Sequence, residues 1–147
     1  MAIKRIEVGS RMSEAVIHNG TVYLSGSTAD NLDQDIKGQT RETLGYIEHM
    51  LRKCGTSKSN LLSAVVWIKT FQDFPGMNAE WDKWVDPKNT PVRATVHSAE
   101  LFDPRVRVEI KVIAALPDRP AKAARKPVAK RQTAKRQTTK RKAAKRR

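Results

Sequence analysis

The stretch AVIHNGTVYL, residues 15–24, contains the clearest secondary-structure signal in the sequence. Two β-prone tetrapeptides flank Asn19-Gly20, the residue pair that best tolerates the positive φ angles of a two-residue type I′ turn. The stretch therefore predicts a β-hairpin. A short strand from Ile3 to Val8 precedes it, and we expect this strand to join the same sheet.

After the hairpin, apolar residues recur at helical spacing. One stripe predicts a helix over residues 38–54, with Gly55 as its end. The run at 62–70 is β-branched, aromatic and too short for a helix, so it predicts a strand. A second helix follows, with Asp73 as its N-cap and Pro75 in its first turn. The apolar positions of the two helices are Leu44, Ile47, Leu51 and Cys54, and then Phe74, Met77, Trp81 and Trp84.

Two more strands are predicted, over residues 93–99 and 106–114. In the second, four core-facing aliphatic residues alternate with three charged residues. The resulting order, βββαβαββ, indicates a two-layer α+β sandwich with both helices on one face of a mixed sheet. The other sheet face must then meet water or another subunit. The alternating residues are Val106, Val108, Ile110 and Val112 on one side, and Arg107, Glu109 and Lys111 on the other.

The charge of the chain divides it into two domains. Residues 118–147 hold fourteen Lys/Arg and one acid, so they carry +13 of the total +14, and residues 1–117 carry only +1. The tail has no aromatic residue and one large aliphatic residue, Val128. It cannot bury enough apolar area to offset the entropy of ordering. We therefore predict a globular domain over 1–117 and a disordered basic tail over 118–147.

The tail composition favours a polyanionic partner, DNA or RNA, because phosphate neutralisation needs only mobile cations. It resembles the basic arms of linker histones and of some bacterial nucleoid proteins. A solubilising arm, or one bound to anionic membrane or polyphosphate, is the alternative. One cysteine, no apolar run of about 20 residues and no secretory leader predict a cytoplasmic protein, with nucleoid association as a further possibility.

The usual catalytic motifs are missing from the sequence, including those for metal, phosphate and dinucleotide binding. The three histidines (His18, His49, His97) are scattered, so a surface or structural role is favoured for each. Arg93 at the head of one strand and Glu109 on the non-core side of the next stand out. An antiparallel pairing would bring them side by side. On the pattern alone, a structural ion pair is the commoner outcome.

Six collinear segments resemble the Rid family of reactive-intermediate deaminases, also called YjgF-like, over about residues 8–116. The tail lies beyond the family pattern, and the domain resembles a subgroup distinct from RidA, the namesake enzyme. The segments are TVYLSG (21–26), GQT (38–40), LLSAVVWI (61–68), DFPGMNAEW (73–81), TPVRATV (90–96) and VRVEIKVIA (106–114).

The resemblance implies a chorismate-mutase-like fold that assembles as a homotrimer, with the sheets inside and active sites between subunits. It also implies cofactor-independent hydrolysis of enamines and imines to a 2-keto acid and ammonia. By this resemblance, one arginine binds the substrate carboxylate, and one glutamate holds or polarises the attacking water. The implied catalytic residues are Arg93 and Glu109, and the implied substrate-binding residues are Ser25, Gly26, Asn78 and Thr95.

Some positions depart from the RidA pattern. Arg11-Met12 replaces an aromatic residue, and Ser27 and Thr95 replace a glutamine and a cysteine. These differences leave the substrate open. An additional base at Arg11 would favour a more acidic substrate, or it is simply a surface residue. The alternative function is a non-catalytic trimer that binds a small metabolite or associates with nucleic acid. Arg93 is needed for binding in either case, whereas Glu109 matters mainly for turnover.

Overall fold

The computed structural model describes residues 2–117, so the predicted tail, 118–147, lies outside the described residues. Helix α1 separates β3 from β4, and α2 separates β4 from β5. The predicted order βββαβαββ is confirmed. None of the described helices is long and apolar enough to cross a membrane. The elements are β1 (Lys4–Val8), β2 (Ser13–His18), β3 (Thr21–Leu24), α1 (Ile36–Lys53), β4 (Leu61–Ile68), α2 (Phe74–Trp84), β5 (Val92–His97) and β6 (Val108–Ala115).

The six strands form one mixed sheet in the order β1-β2-β3-β6-β4-β5. Neighbouring strands are antiparallel except β4 and β5, which are parallel. The β2–β3 connection is the predicted tight turn, since Asn19 and Gly20 have φ angles of 48° and 75°. Both residues thus occupy the left-handed region that a type I′ turn requires.

Both helices pack on one side of the sheet, which we call the covered face. The predicted stripe of α1 is buried there, and Gly55 follows the helix with a φ of 84°, as its predicted end requires. Met77 and Trp81 of α2 join the same core. The buried strand residues of the covered face are Ala15, Val22, Leu24, Ala64, Val66, Ile68, Val108, Ile110, Val112 and Ala114.

The opposite side of the sheet, which we call the open face, has no helix over it in residues 2–117. Its side chains alternate with the buried ones and are mostly apolar. Val92 and Val96 are 73% and 42% exposed, respectively. An exposed, contiguous apolar surface of this kind is typical of an interaction site. The open-face residues of β4, β5 and β6 are Ser63, Val65, Trp67, Val92, Ala94, Val96, Glu109, Lys111, Ile113 and Ala115.

Two local predictions at the start of α2 and β6 were wrong. Phe74 was expected in the core and is 41% exposed. Arg107 was expected on the open face, but β6 begins one residue later, at Val108. The Arg107 Nε instead donates to Asp73 Oδ1 at 3.0 Å. The predicted N-cap of α2 is confirmed as Asp73, although its side chain forms no capping hydrogen bond. Because this carboxylate is 1% exposed, it is stabilised by a cation, and that pairing replaces the cap.

Candidate active site

Residues 25–27 continue β3 along β6 with one irregularity. The regular register pairs Tyr23 with Ile113, whereas Ser27 pairs with Ile110. Between these two pairs, the extension of β3 therefore contains one more residue than β6. Such β-bulges bend a strand and re-aim its side chains, and they are frequent beside active sites. The bulge comprises Ser25 and Gly26, two of the predicted substrate-binding residues.

The bulge places Gly26 directly against the carboxylate of Glu109. A Cβ atom on residue 26 would overlap Glu109 Oε1 and lie 3.1 Å from its Cδ. Only glycine leaves the space that this carboxylate occupies. Glu109 projects from the open face, because its neighbours Val108 and Ile110 are both buried in the core. The structure thus brings together three predicted site residues: Ser25, Gly26 and Glu109.

The Ser25 hydroxyl is held by a carboxylate that the sequence analysis missed. It donates to Glu14 Oε2 at 2.8 Å, and the Ser25 N–H donates to the Glu14 carbonyl at 2.9 Å. The Tyr46 hydroxyl also donates to Glu14 Oε2, at 3.2 Å. Burial and then the charge of Glu14 raise the pKa of Tyr46 to about 12. The phenol therefore stays protonated, and remains a donor, well above neutral pH.

Arg93 lies at the edge of the sheet, on β5. Its partner in the β4–β5 register is Ala64, which is buried on the covered face, so Arg93 projects to that face. The guanidinium carbon lies 5.0 Å from the centroid of the Trp81 ring, a cation–π contact. Arg93 is half-buried, and within residues 2–117 it forms no ion pair. Its planar donors are therefore available to a ligand.

Asn78 and Thr95 belong to the elements that carry Trp81 and Arg93. Asn78 lies one turn before Trp81 on α2, and its Oδ1 is buried without a donor among the described residues. Thr95 follows Arg93 by two residues and therefore projects to the same side of β5. Trp81 was predicted as packing. It is 5% exposed and does belong to the core, but it also supports the guanidinium.

The expected antiparallel pairing of the Arg93 and Glu109 strands was wrong. Among the strands of residues 2–117, β5 pairs only with β4, in parallel, and β4 separates it from β6. The two residues also project from opposite faces of the sheet. Within one chain they therefore form two separate groups, one around Gly26 and Glu109 and the other around Trp81 and Arg93.

The positions that depart from the RidA pattern have different environments. Arg11 and Met12 line a surface cleft of about 530 Å³ that Glu14 and Tyr46 also line. This cleft therefore adjoins Ser25 through the shared contact with Glu14. Ser27, in contrast, is 5% exposed and pairs with β6, so its side chain is part of the interior. No cluster of His, Cys, Asp and Glu that could hold a metal ion occurs in the part of the chain that the structure describes.

Known proteins match most of the length of this chain. Residues 2–116 match the family model described as Endoribonuclease L-PSP. The RutC family protein YoaB of Escherichia coli K12 is 44% identical over 116 residues, which are 79% of this chain and 100% of that protein. A solved YjgF family member from Neisseria meningitidis is 38% identical, with a TM-score of 0.78, over 81% of this chain and 98% of its own.

A third relative is described as a member of the Rid family, the family that the sequence segments resemble. It is YyfA from Yersinia pestis, described as a protein of unknown function of the conserved Rid family. It is 28% identical, with a TM-score of 0.72, over 78% of this chain and 99% of its own. The matches cover the globular domain and its two site groups, which confirms the family predicted from the six segments. The chain belongs to the Rid family, also described as YjgF-like or Endoribonuclease L-PSP.

Proposed function

We propose that this protein hydrolyses reactive imines and enamines of 2-keto acids, without a cofactor, to the keto acid and ammonia. The observation that carries the proposal is Arg93, a half-buried guanidinium that has no acidic partner in residues 2–117 and rests on Trp81. The planar fork of arginine suits bidentate binding of a carboxylate. Every imino acid substrate of this class carries such a group.

We infer that the active site is shared between subunits of a homotrimer. Arg93 and Glu109 project from opposite faces of the sheet, so they meet only if two copies contribute one each. The apolar open face supports such an assembly, because association would remove it from water. Family resemblance supports three copies with their sheets inside. In this arrangement Arg93 of one protomer faces Glu109 of its neighbour.

In the proposed reaction, Arg93 binds the substrate carboxylate and so fixes the C=N carbon beside a water molecule. Glu109 orients that water and accepts its proton as the oxygen adds to the carbon. The nitrogen takes up a proton, the C–N bond of the resulting carbinolamine breaks, and ammonia leaves as C=O forms. Polar groups near Ser25, Gly26 and Thr95 bind the nitrogen. An enamine enters after protonation at carbon, which converts it to the imine.

The test is ammonia release from freshly generated 2-aminoacrylate, measured with the wild-type protein and Arg93→Ala. We expect kcat/KM to fall about 100-fold, since a lost hydrogen bond to a charged group is worth up to about 3 kcal/mol. Arg93→Lys is the matched control: it keeps the charge, loses the fork and should show an intermediate rate. Equal rates for the wild type and Arg93→Ala would remove the deaminase proposal.

Glu109→Gln separates this function from the alternative of a non-catalytic metabolite-binding trimer. The amide keeps the size of the side chain but cannot accept a proton at neutral pH. If the protein is an enzyme, the variant should retain affinity for a 2-keto acid and lose turnover. A wild-type protein that binds the keto acid but never accelerates ammonia release would support the binding module instead.

The sequence of the tail favours a second function, binding of nucleic acid through residues 118–147. The fourteen Lys/Arg of this segment suit phosphate contacts, and three tails per trimer would add avidity. We expect DNA affinity to fall by about 1,000-fold or more between 50 and 200 mM salt, a range typical of six to ten phosphate contacts. A chain ending at Pro117 should not bind. A shallow salt dependence would contradict phosphate binding by the tail.

A further inference from the structure

We propose that Glu14 is a positioning residue that makes the Ser25 hydroxyl a hydrogen-bond acceptor for the nitrogen of the substrate. The inference rests on the proposed function and names the substrate group that Ser25 selects. It is drawn from the contacts of the β-bulge beside Glu109.

The direction of the Ser25–Glu14 hydrogen bond follows from the chemistry of its partners. An ionised carboxylate has no proton to give, so at 2.8 Å the single Ser25 proton must point to Glu14 Oε2. The lone pairs of the Ser25 oxygen are then its only remaining hydrogen-bonding capacity. Whatever binds to this hydroxyl from the substrate side has to be a donor.

Two further contacts keep this arrangement in place. The Ser25 N–H donates to the Glu14 carbonyl at 2.9 Å, which fixes the two backbones. The Tyr46 hydroxyl donates to the same Oε2 at 3.2 Å, which fixes the carboxylate from the side of α1. Glu14 and Ser25 are both half-buried, so water competes for these groups less than at a fully exposed site. The Ser25 hydroxyl therefore has one favoured orientation, with its proton toward Glu14.

A fixed acceptor distinguishes the two ends of the proposed substrate. The nitrogen of an imine or iminium carries an N–H and can donate to Ser25. A carboxylate and a keto oxygen can only accept, so the lone pairs of Ser25 repel them. Glu109, beside Gly26, adds a second carboxylate at this end, whereas Arg93 supplies the cation at the other. The substrate should thus bind with its nitrogen toward Ser25, and the keto acid product should lose this contact.

The experiment compares the affinities of two unreactive probes that differ in one group, 2-aminobutanoate and 2-oxobutanoate, by calorimetry on the full-length protein. Wild type should prefer the amino acid by roughly 10-fold, the effect of one hydrogen bond to a charged group. Glu14→Ala frees the serine proton to donate, so this preference should fall to what the Glu109 carboxylate alone supplies. Ser25→Ala keeps the Glu14 charge but removes the acceptor, and the preference should fall there too.

Gly45→Ala on α1 is the control, because a Cβ at this position meets no neighbouring group within 4 Å, and the variant should retain the preference. Thermal melts identify any variant that has not folded. A preference unchanged in Ser25→Ala or in Glu14→Ala would overturn the inference. Arg93→Ala should weaken both probes equally. If Arg93→Ala weakens the binding of neither probe, the proposed function fails. If Arg93→Ala weakens both probes but Glu14→Ala leaves the preference unchanged, only this inference is removed.

Discussion

The two faces of the sheet differ in how complete they are within one chain. On the covered face, α1 and α2 bury Val22, Val66 and Ile110 to zero exposure. On the open face, the equivalent positions of β5 leave Val92 and Val96 largely accessible. The covered face therefore stabilises the monomer by itself. The open face is built from similar residues, and the proposed trimer would bury them.

The candidate site follows the same division. Arg93 projects from the covered face at the edge of the sheet, and Glu109 projects from the open face near its middle. A single chain presents a carboxylate-binding group and an acidic group that cannot reach each other. The monomer fold thus depends on the covered face, whereas the proposed shared site also needs the open face, and substitutions should separate the two. Four predictions test this difference, in order of decreasing effect.

The largest effect is expected from a charge on the open face, Val96→Glu. This residue lies beside Trp67 on that face, and burying an unpaired carboxylate in an interface costs several kcal/mol per copy. The variant should be monomeric at micromolar concentration and should lose imine hydrolysis, while its circular dichroism stays that of a folded protein. Sedimentation equilibrium measures the assembly. Lys37→Glu, at an exposed position in the first turn of α1, is the control and should still assemble.

The next effect is on the stability of the covered face. Ile47→Ala removes a fully buried side chain from α1 and should lower the free energy of unfolding by about 3 kcal/mol. Its cost should be the same at every protein concentration. Val65→Ala on the open face should instead change how the urea midpoint depends on protein concentration. Identical behaviour of the two variants would mean that the faces are not functionally distinct.

A smaller effect is expected from Gly26→Ala. The new methyl group would occupy the position of the Glu109 carboxylate, which must then move away from the bulge. We expect kcat for imine hydrolysis to fall about 10-fold, as displacement of a catalytic group commonly does. The melting temperature should change little, since Gly26 is exposed. Gly45→Ala on α1, where a Cβ meets no other atom within 4 Å, is the matched control and should retain full activity.

The smallest effect concerns the ionisation of Tyr46. Its pKa is raised from 10.0 to about 12, so the folded state holds this proton more tightly than the unfolded state. The associated stability is present below pH 10 and is lost as the pH rises toward 12. Urea denaturation at pH 9, 10 and 11 should therefore show a steeper loss for wild type than for Tyr46→Phe. Parallel curves would mean that burial and the charge of Glu14 do not raise the pKa of Tyr46.

Local patterns in the sequence predicted most of the fold. The turn at Asn19-Gly20 and the buried stripe of α1 depend on residues that are close in the chain, so backbone preferences and spacing identify them. Ion pairs between distant segments were not predictable in this way. Arg107 was placed on the open face by strict alternation, but Asp73, which is 34 residues away, draws it elsewhere.

The candidate residues were chosen from the sequence, but the arrangement of their strands could not be predicted from it. The neighbour of β5 depends on how the chain crosses over through α2, and periodicity within β5 carries no information about that. Glu14, in contrast, could have been found from the hairpin. The turn aligns Ala15 with Leu24, so the next residue along each strand is Glu14 and Ser25, which are therefore neighbours.

Subunit complementation tests the shared site most directly. Arg93→Ala and Glu109→Gln, each inactive alone, are unfolded together and refolded as a 1:1 mixture. If Arg93 of one protomer acts with Glu109 of the next, random assembly restores both residues at about one site in four, so about a quarter of wild-type activity should return. If both residues act within one chain, no assembly contains an intact site. A mixture that stays as inactive as its components would contradict the account.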